Sequence, residues 1–261
     1  MIGRNNIKKT IIYFLSIIIF LTIWTTASKI INAPLILPSI PQVFEQIIEL
    51  IQLKNFWINF TYTLFRVFLS FTISLIIGFV IGLIAGLFPL FKSFIDIPLS
   101  FIRSTPVVAI ILITLFWFNS NSMPVFVGFL MCLPIVITAI CEGIEKENKK
   151  LMFMAKVYKF NKCQKIRYIK LPELIPFIEN AALSVFGLSW KVVVAGEVLT
   201  LPKYGFGSIM QTAQVHLETA TVIAITIILV FFSFTLEKIF SYIVINLRKD
   251  KALIKDKLNE K

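Results

Sequence analysis

Six stretches of this chain are apolar over about the length that a helix needs to cross a lipid bilayer. A spanning helix takes about 20 mainly apolar residues, and the third of these stretches is the shortest. The chain is 57% apolar and only 15% charged, which leaves too little charge to cover the surface of a soluble domain. We therefore predict an all-α integral membrane protein with six transmembrane helices. The predicted spans are residues 10–28, 61–88, 106–118, 124–141, 173–195 and 219–243.

Positive charge is distributed unevenly around these spans. With the N-terminus in the cytoplasm, 21 of the 26 Lys and Arg residues fall on the cytoplasmic side and three fall outside. This is the bias that orients membrane proteins, so both termini are predicted to be cytoplasmic. The loop 142–172, which holds nine Lys or Arg residues, is predicted to face the cytoplasm as well. Lys29 directly follows the long first stretch, which favours a retained span over a cleaved signal.

The net charge of +12 is explained by this orientation and by attraction to anionic membrane lipid. No nucleic-acid partner is predicted. The three cysteines, Cys132, Cys141 and Cys163, have no spacing typical of metal ligands. Neither a disulfide framework nor a bound metal is therefore expected.

Three glycines in the second predicted span, Gly78, Gly82 and Gly86, repeat at intervals of four residues. Small residues at this interval allow two helix backbones to approach closely in lipid. The row therefore indicates a tightly packed helix pair, with glycines tolerated on a lipid-facing surface as the alternative.

Two segments outside the spans are predicted to form short helices. The first follows Ser39, where Gln42 three residues later suggests a capping box and Pro41 suits a first helical turn. The second lies between the second and third spans, where three prolines at positions 89, 98 and 106 are expected to interrupt helical structure. It is predicted to run along the inner membrane surface.

The chain lacks the residue patterns of an enzyme. Its single histidine, His216, cannot supply an H-E-x-x-H metal motif, and there is no G-x-S-x-G turn or G-x-x-x-x-G-K-[ST] phosphate loop. An enzyme is therefore not predicted. Work against a gradient would need either the ATP-binding site of a partner or coupling to an ion gradient.

Four ionisable residues lie within or beside the predicted spans. Arg66 and Lys191 lie near outer ends, where long side chains often reach the lipid headgroups. Glu179 is predicted to be an interfacial carboxylate or a functional one. Glu197 follows the apolar run WKVVVAG, and an acid at that depth more often faces a polar cavity or a cation than lipid.

An ordered series of motifs, spanning about residues 37–243, resembles one family of membrane proteins. The segment LPSIPQVF resembles its L-P-S-P-x-x-V start, and TLFRVFLSFTISLIIGFVIGLIAG resembles its second span. In IDIPLSFIRSTP, the residues Asp96, Pro98, Arg103 and Pro106 match a D-P-x-x-x-x-x-R-x-x-P pattern with one extra residue after Asp96. The chain is thereby identified as similar to the transmembrane permease subunits of binding-protein-dependent ABC importers, in the nitrate, sulfonate and taurine group.

The segment GLSWKVVVAGEVLTLPKYGFGSIM resembles the family's W-x-x-x-x-A-E stretch followed by G-L-G. Trp190, Glu197, Gly205 and Gly207 occupy the matching positions. The loop 197–211 is accordingly hypothesised to be an outer gate, because the glycines permit irregular backbone. The candidate residues of the translocation pathway or gate are Arg66, Trp190, Lys191, Glu197, Gly205 and Gly207.

The family also carries an E-A-A-x-x-x-G loop that runs to a Leu-Pro pair and forms a coupling helix on the ATPase subunit. Counted back from Leu171 and Pro172, its glutamate falls on Phe153, its alanines on Met154 and Ala155, and its glycine on Lys159. Asn161 is expected to supply the left-handed turn in place of the missing glycine. The candidate ATPase-coupling residues are Phe153, Met154, Ala155, Lys156, Lys159, Lys162, Lys165, Leu171 and Pro172.

The resemblance implies one permease domain over residues 1–261, with an N-terminal span and flank (1–36), a five-helix core (37–243) and a basic cytoplasmic tail (244–261). It implies three protein partners: an ABC ATPase subunit that binds the ATP, an extracytoplasmic substrate-binding protein, and a second permease copy, most simply in a homodimer. No cofactor of the chain itself is expected. The alternative function is a stand-alone ion-coupled secondary transporter or channel.

Overall fold

The computed structural model describes the backbone of residues 2–146 and 149–259, and the side chains of residues 11–146, 150–161 and 164–246. Within these ranges the chain is helical and contains no β-strand. The helices are α1 (Ile2–Ile31), α2 (Ile40–Gln52), α3 (Lys54–Leu87), α4 (Pro89–Ser104), α5 (Val107–Thr114), α6 (Met123–Glu145), α7 (Lys149–Val157), α8 (Lys162–Lys165), a π-helical turn (Ile166–Lys170), α9 (Leu171–Thr200), α10 (Phe206–Val215) and α11 (Thr219–Asn259).

In the described part of the chain, five helical segments are long and apolar enough to cross a membrane, and a sixth span exists only if α4 and α5 are taken together. These two helices meet at an angle of 99°. The predicted third span, 106–118, therefore contains a helix of only 8 residues. The five segments that are each long enough alone are Ile11–Ile31, Lys54–Leu87, Met123–Glu145, Ile166–Thr200 and Thr219–Asn246.

Helical structure is interrupted at Pro89, where Phe88 is extended between α3 and α4, and at Pro106, where α4 and α5 meet, whereas Pro98 does not interrupt it. Thr105 has extended backbone angles (φ −78°, ψ 129°), as expected for a residue that precedes proline. Pro89 lies in the first turn of α4, where a missing N–H costs little, while Pro98 lies inside the helix. Packing holds the helix together there, because Leu99 is buried in a cluster with residues of α6.

The chain forms two compact units, one made of the chain up to Ile58 with Ile209–Val230, the other of Asn59–Ser208 with the chain from Phe231. In the first unit, the backbone N–H of Ser39 donates to the side-chain oxygen of Gln42 at 2.9 Å, at the predicted start of α2. The side chain of Val43, on the apolar face of α2, is buried. The prediction that residues 1–261 act as one permease domain stays a prediction.

In the second unit, the glycine row of α3 faces α6. A Cβ atom built on Gly82 would lie 2.8 Å from Cβ of Ile140 and 3.1 Å from the carbonyl oxygen of Ile137. At Gly78 and Gly86 the nearest atoms would belong to Val136 at 2.7 Å and Ile144 at 2.5 Å. The two helices therefore approach at distances that any larger side chain would prevent.

Aromatic packing joins three helices of the same unit. The ring of Phe71 on α3 contacts Phe186 on α9 and Phe240 on α11, with centroids 5.4 and 5.5 Å apart. The rings of Phe186 and Phe240 are stacked at 5.1 Å. Such contacts supply both apolar burial and preferred ring geometry, and they fix the register of α9 between α3 and the second half of α11.

Candidate functional site

A buried ion pair links α3 to the end of α9. The guanidinium Nη1 of Arg66 donates to Oε1 of Glu197 at 2.6 Å, and the two side chains are 5% and 0% exposed. Arg66 therefore does not reach toward lipid headgroups, and Glu197 faces a cation. A buried pair of this kind is stable only if further hydrogen bonds satisfy the remaining polar atoms.

Two groups complete the hydrogen bonds of the Glu197 carboxylate. The hydroxyl of Thr63, one turn before Arg66 on α3, donates to Oε2 at 2.9 Å. The backbone N–H of Gly207, in the first turn of α10, donates to the same oxygen at 3.1 Å. Since α9, the following loop and the start of α10 all meet at one carboxylate, its hydrogen bonds determine the path of the chain after α9.

The loop between α9 and α10 depends on backbone conformations that its residues permit. Leu201, which ends α9, adopts the left-handed conformation with φ +47° and donates its N–H to the carbonyl oxygen of Glu197 at 3.0 Å. Gly205 has φ +156°, a value that favours glycine, and donates its N–H to Oδ1 of Asn59 at 2.7 Å. At Gly207 a Cβ atom would lie 2.5 Å from the backbone nitrogen of Val198, so only glycine allows α10 to begin there.

Arg66 also holds two loop segments. Its Nη1 donates to the carbonyl oxygen of Tyr204 at 2.7 Å, and its Nε donates to the carbonyl oxygen of Asn121 at 3.2 Å. The guanidinium thus connects the α9–α10 loop to the α5–α6 turn. We call these connected residues the Arg66–Glu197 network: Asn59, Thr63, Arg66, Asn121, Glu197, Tyr204, Gly205 and Gly207.

The network is suited to holding helices together. The carboxylate accepts bonds from a guanidinium, a hydroxyl and a backbone N–H, which leaves little capacity for proton transfer. Four of the predicted gate residues, Arg66, Glu197, Gly205 and Gly207, lie in it. The other two do not: Trp190 is buried two turns earlier on α9, and Lys191 is exposed.

The indole nitrogen of Trp190 is buried without a hydrogen-bond partner among the described residues. Sequence reasoning missed four members of the network: Asn59, Thr63, Asn121 and Tyr204. A signal existed for two of them, because Asn59, Thr63 and Arg66 follow an i, i+4, i+7 spacing that places them on one face of α3. Tyr204 contributes a backbone carbonyl oxygen, which any residue type supplies. Asn121 contributes its carbonyl oxygen and also its side-chain Oδ1, which accepts from Nη2 of Arg66 at 3.3 Å.

A cavity of about 720 Å³ opens beside the network, and we call it the Tyr204 cavity. The rings of Tyr62 and Tyr204 stack at 5.0 Å along it, and the guanidinium carbon of Arg66 lies 5.9 Å from the Tyr62 ring centroid. Phe126 and Phe129 of α6 form an apolar wall, while Lys203 adds a cation. The cavity therefore offers aromatic surface together with positive charge and amide groups.

The segment that follows α6 forms the short helix α7, with an apolar face that is exposed. Phe153, Val157 and Tyr158 are 70%, 62% and 71% exposed, and Met154 is 41% exposed. Ala155 faces the other way and is fully buried. The helix therefore packs on the chain through its small residue and presents its large ones.

The turn that ends α7 differs from the expectation for Asn161. Lys159, at the position of the family's glycine, itself adopts the left-handed conformation with φ +52°. The N–H of Phe160 donates to the carbonyl oxygen of Ala155 at 2.9 Å, and that of Lys159 to Lys156 at 3.1 Å, which is the hydrogen-bond pattern of a Schellman motif. The prediction that Asn161 makes this turn is wrong.

Asn161 instead begins α8. Its side-chain oxygen accepts the N–H of Gln164 at 2.8 Å, and the Gln164 side chain accepts the N–H of Asn161 at 2.9 Å. The remaining coupling candidates are distributed along this segment. Lys156 and Lys165 lie on α7 and α8, and Leu171 and Pro172 lie in the first turn of α9. The side chain of Lys162 lies outside the described residues.

No metal site is visible in the described part of the chain, where no three His, Cys, Asp or Glu side chains come together closely enough to hold an ion. Cys132 and Cys141 are both buried as free thiols. His216 is exposed, with Nδ1 2.8 Å from the carbonyl oxygen of Thr212.

The long apolar helices define a multi-pass membrane protein. The sequence model of the family "binding-protein-dependent transport system inner membrane component" matches residues 74–249. The chain belongs to this family. It is therefore an ABC transporter permease, a multi-pass protein of the inner membrane and a transporter component, not an enzyme.

Two of the similar proteins are named as permeases of a particular solute. The chain is 23% identical to the taurine transport system permease protein TauC of Escherichia coli K12 over 227 residues, covering 84% of this chain and 82% of the relative. It is 26% identical to the bicarbonate transport system permease protein CmpB of Synechococcus elongatus over 146 residues, covering 56% and 52%. A probable ABC transporter permease protein of Brucella melitensis is 23% identical over 188 residues, covering 72% and 76%.

Proposed function

We propose that this chain forms the translocation pathway for a small solute of the nitrate, sulfonate, taurine or vitamin-precursor class. A separate ATPase subunit supplies the energy, an extracytoplasmic binding protein delivers the solute, and a second copy of the chain completes the pathway. Family membership supports the class of transporter. The observation that carries the proposal is the exposed apolar face of α7, which suits the coupling helix that an ATPase subunit grips.

The exposed face of α7 has the composition of a protein–protein contact. Phe153, Met154, Val157 and Tyr158 form a continuous apolar patch, and Lys156 adds charge beside it. Aromatic residues and Met are enriched where proteins bind one another. The Schellman motif at Lys159 ends the helix sharply, so the patch is presented on a short structured element.

A continuous helix leads from this segment to the Arg66–Glu197 network. From Lys162 to Thr200 the backbone is helical throughout, through α8, the π-helical turn and α9. At 1.5 Å per residue, these 39 residues extend about 58 Å. Glu197 lies near the far end of this helix, so displacement at one end is transmitted to the loop at the other.

The loop held by Glu197 is proposed as the outer gate. In the predicted orientation, α6 begins outside and ends in the cytoplasm, so the network lies at the outer end of the second unit. Rotation of α9 would move Glu197 relative to α3 and change the width of the Tyr204 cavity. The glycines at positions 205 and 207 allow the loop to pack closely in the closed state.

Reconstitution tests the proposed energy source. The chain is purified together with a candidate ATPase subunit and a candidate binding protein and is placed in liposomes. Uptake of radiolabelled taurine, an alkanesulfonate, nitrate and bicarbonate is then measured. Uptake of at least one is expected to require ATP hydrolysis and the binding protein, and to persist when ionophores remove the membrane potential. Uptake that ignores ATP and stops with the potential would establish a secondary transporter instead.

A further inference from the structure

A second polar cavity lies at the other end of the second unit, and we call it the Arg103 cavity. It has a volume of about 480 Å³ and is lined by α4, α6 and α9. The guanidinium of Arg103, the last-turn residue of α4, donates to the hydroxyl of Thr138 on α6 at 3.4 Å. Asn180 of α9 lines the opposite side.

In the predicted orientation the cavity lies near the inner ends of α6 and α9. Thr138 precedes Glu145, the end of α6, by seven residues, which corresponds to about 10 Å along the helix. Asn180 follows Leu171, the start of α9, by nine residues, or about 13 Å. Arg103 is exposed on α4, the helix predicted to run along the inner membrane surface, so the cavity is placed to open toward the cytoplasm.

Arg103 forms no ion pair with the side chains that the structure describes. Among the described side chains, no carboxylate oxygen lies within 4 Å of its guanidinium. The nearby acid, Glu142, is paired with Lys146 at 3.1 Å, and that ammonium also lies 5.7 Å from the ring of Phe177. Glu142 itself lines the cavity, but its carboxylate is paired with Lys146, so Arg103 is the lining charge that has no ion pair among the described residues.

The remaining polar groups supply hydrogen-bond donors around this charge. The hydroxyl hydrogen of Thr138 and the amide of Asn180 have no acceptor among the described residues. A guanidinium binds two oxygens of a carboxylate or other oxyanion in a planar, bidentate geometry. A hydroxyl and an amide on neighbouring helices add further donors for the same group.

We infer that the Arg103 cavity is an inner station of the pathway that binds an oxyanion group of the transported solute through Arg103, Thr138 and Asn180. The inference rests on the proposed function and adds a chemical class for the solute and a place where it stops. The simpler role of Arg103 is to interact with the carbonyl groups at the end of α4, where a cation is favourable. The same oxyanion chemistry also describes a lipid phosphate, so the test must separate these occupants.

The local potential is measured with two thiol reagents of opposite charge, and no substrate is needed. A full-length background with C132A, C141A and C163S carries Thr138→Cys, and the protein is reconstituted in phosphatidylcholine liposomes. The probes are the anionic sulfonatoethyl and the cationic trimethylammonioethyl methanethiosulfonate. The rate at which each reagent modifies the cysteine introduced at position 138 is divided by its rate with a small free thiol in solution. The ratio of the anionic to the cationic rate is then compared with the ratio in the same protein carrying Arg103→Gln or Arg103→Lys.

With Arg103 present, the anionic reagent is expected to be favoured by about fivefold to tenfold, as Coulomb attraction over several ångströms in a hydrated cavity implies. Arg103→Gln should remove this preference and Arg103→Lys should retain it. Asn180→Cys, measured in the same background, should show the same dependence on Arg103 from the opposite wall.

Three outcomes would overturn the inference. A ratio that is unchanged by Arg103→Gln would show that the guanidinium does not set the potential of the cavity. Reaction with neither reagent would show that no aqueous path reaches Thr138. A ratio that falls when phosphatidylglycerol replaces part of the phosphatidylcholine would assign the site to lipid headgroups. None of these measurements requires ATP or the ATPase subunit, so the inference fails separately from the proposed function.

Discussion

Arg66 and Glu197 are 131 positions apart in the chain, and their side chains meet at 2.6 Å in a buried site. Removing one partner of such a pair leaves the other charge buried and uncompensated, which costs about 3–5 kcal/mol. Glu197→Gln and Arg66→Gln are therefore each expected to lower the midpoint of thermal unfolding in detergent. Glu179→Gln, a half-buried carboxylate on the same helix, is the matched control and should have little effect.

The double variant Arg66→Gln/Glu197→Gln separates pairing from other effects of the substitutions. Because both charges are absent, it is expected to be clearly more stable than the sum of the two single changes predicts. A midpoint equal to that sum would mean that the two residues act independently.

The close approach at Gly205 and Gly207 predicts that neither position tolerates a side chain. A Cβ atom on Gly205 would lie 2.7 Å from Cδ of Glu197, in addition to the unfavourable φ of +156°. Gly205→Val and Gly207→Val should therefore separate Glu197 from the start of α10 and reduce ATP-driven uptake by at least tenfold. Gly187→Ala, where the nearest atom is 3.5 Å away, is the control and should preserve uptake. If both valine variants transport normally, the α9–α10 loop is not the gate.

The glycine row predicts a graded cost of adding a methyl group. At Gly82 the added atom would meet backbone atoms of Ile137 at 3.1 and 3.2 Å, whereas at Gly86 its nearest contact is the flexible Cδ1 of Ile144. Gly82→Ala is therefore expected to destabilise the protein by about 1–3 kcal/mol, the usual cost of overpacking, and Gly86→Ala by less. Thermal unfolding of both variants measures the difference. If Gly82→Ala and Gly86→Ala destabilise the protein equally, the backbone of α6 yields to the added methyl group as readily as the side chain of Ile144 does.

The turn after α7 predicts a stabilising substitution. Lys159 is held in the left-handed conformation, which costs a non-glycine residue about 1–2 kcal/mol. Lys159→Gly is expected to slow hydrogen exchange of the α7 amides, since the Schellman motif then forms without that cost. Asn161→Ala should have a different effect, because it removes the acceptor of the Gln164 N–H. This loss should destabilise α8 by about 1 kcal/mol and speed the hydrogen exchange of its amides. Faster exchange of α7 in Lys159→Gly would contradict this account of the turn.

The sequence predicts the elements that depend on local pattern. The apolar stretches give the long helices, and Ser39, Pro41 and Gln42 locate the start of α2, because both features depend on neighbouring residues alone. The effect of each proline was harder to predict. Pro98 is accommodated inside α4 because Leu99 is buried against α6. Pro106 ends the helix, because it holds the preceding Thr105 in an extended conformation. No local signal separates the two prolines.

The features that could not be predicted depend on contacts between distant parts of the chain. Nothing in a single sequence pairs Arg66 with Glu197, and carbonyl oxygens such as that of Tyr204 leave no trace in residue type. Lys159 was missed for a related reason. Intrinsic propensity favoured Asn161 for a left-handed turn, but the length of α7 determines which residue follows its last turn, and that residue is Lys159.

The exposed face of α7 makes the most direct prediction for the proposed function. Tyr158, in the turn that directly follows α7, is 71% exposed, and Tyr168, in the π-helical turn, is 62% exposed. The same substitution can therefore be made at two neighbouring places. Tyr158→Ser is expected to weaken binding of the ATPase subunit by about tenfold or more, because large aromatic side chains contribute most at interfaces. Tyr168→Ser, which lies off the α7 face, should change the affinity little.

Phe153→Ser should weaken binding to a similar degree, because Phe153 belongs to the same apolar patch. Affinity is measured by retention of the purified ATPase subunit on immobilised permease in detergent, and circular dichroism checks that helix content is unchanged. Since both tyrosines are exposed, loss of stability cannot account for a difference between them. If the two tyrosine variants bind equally well, α7 is not the element through which the ATPase acts, although the chain remains a member of the permease family.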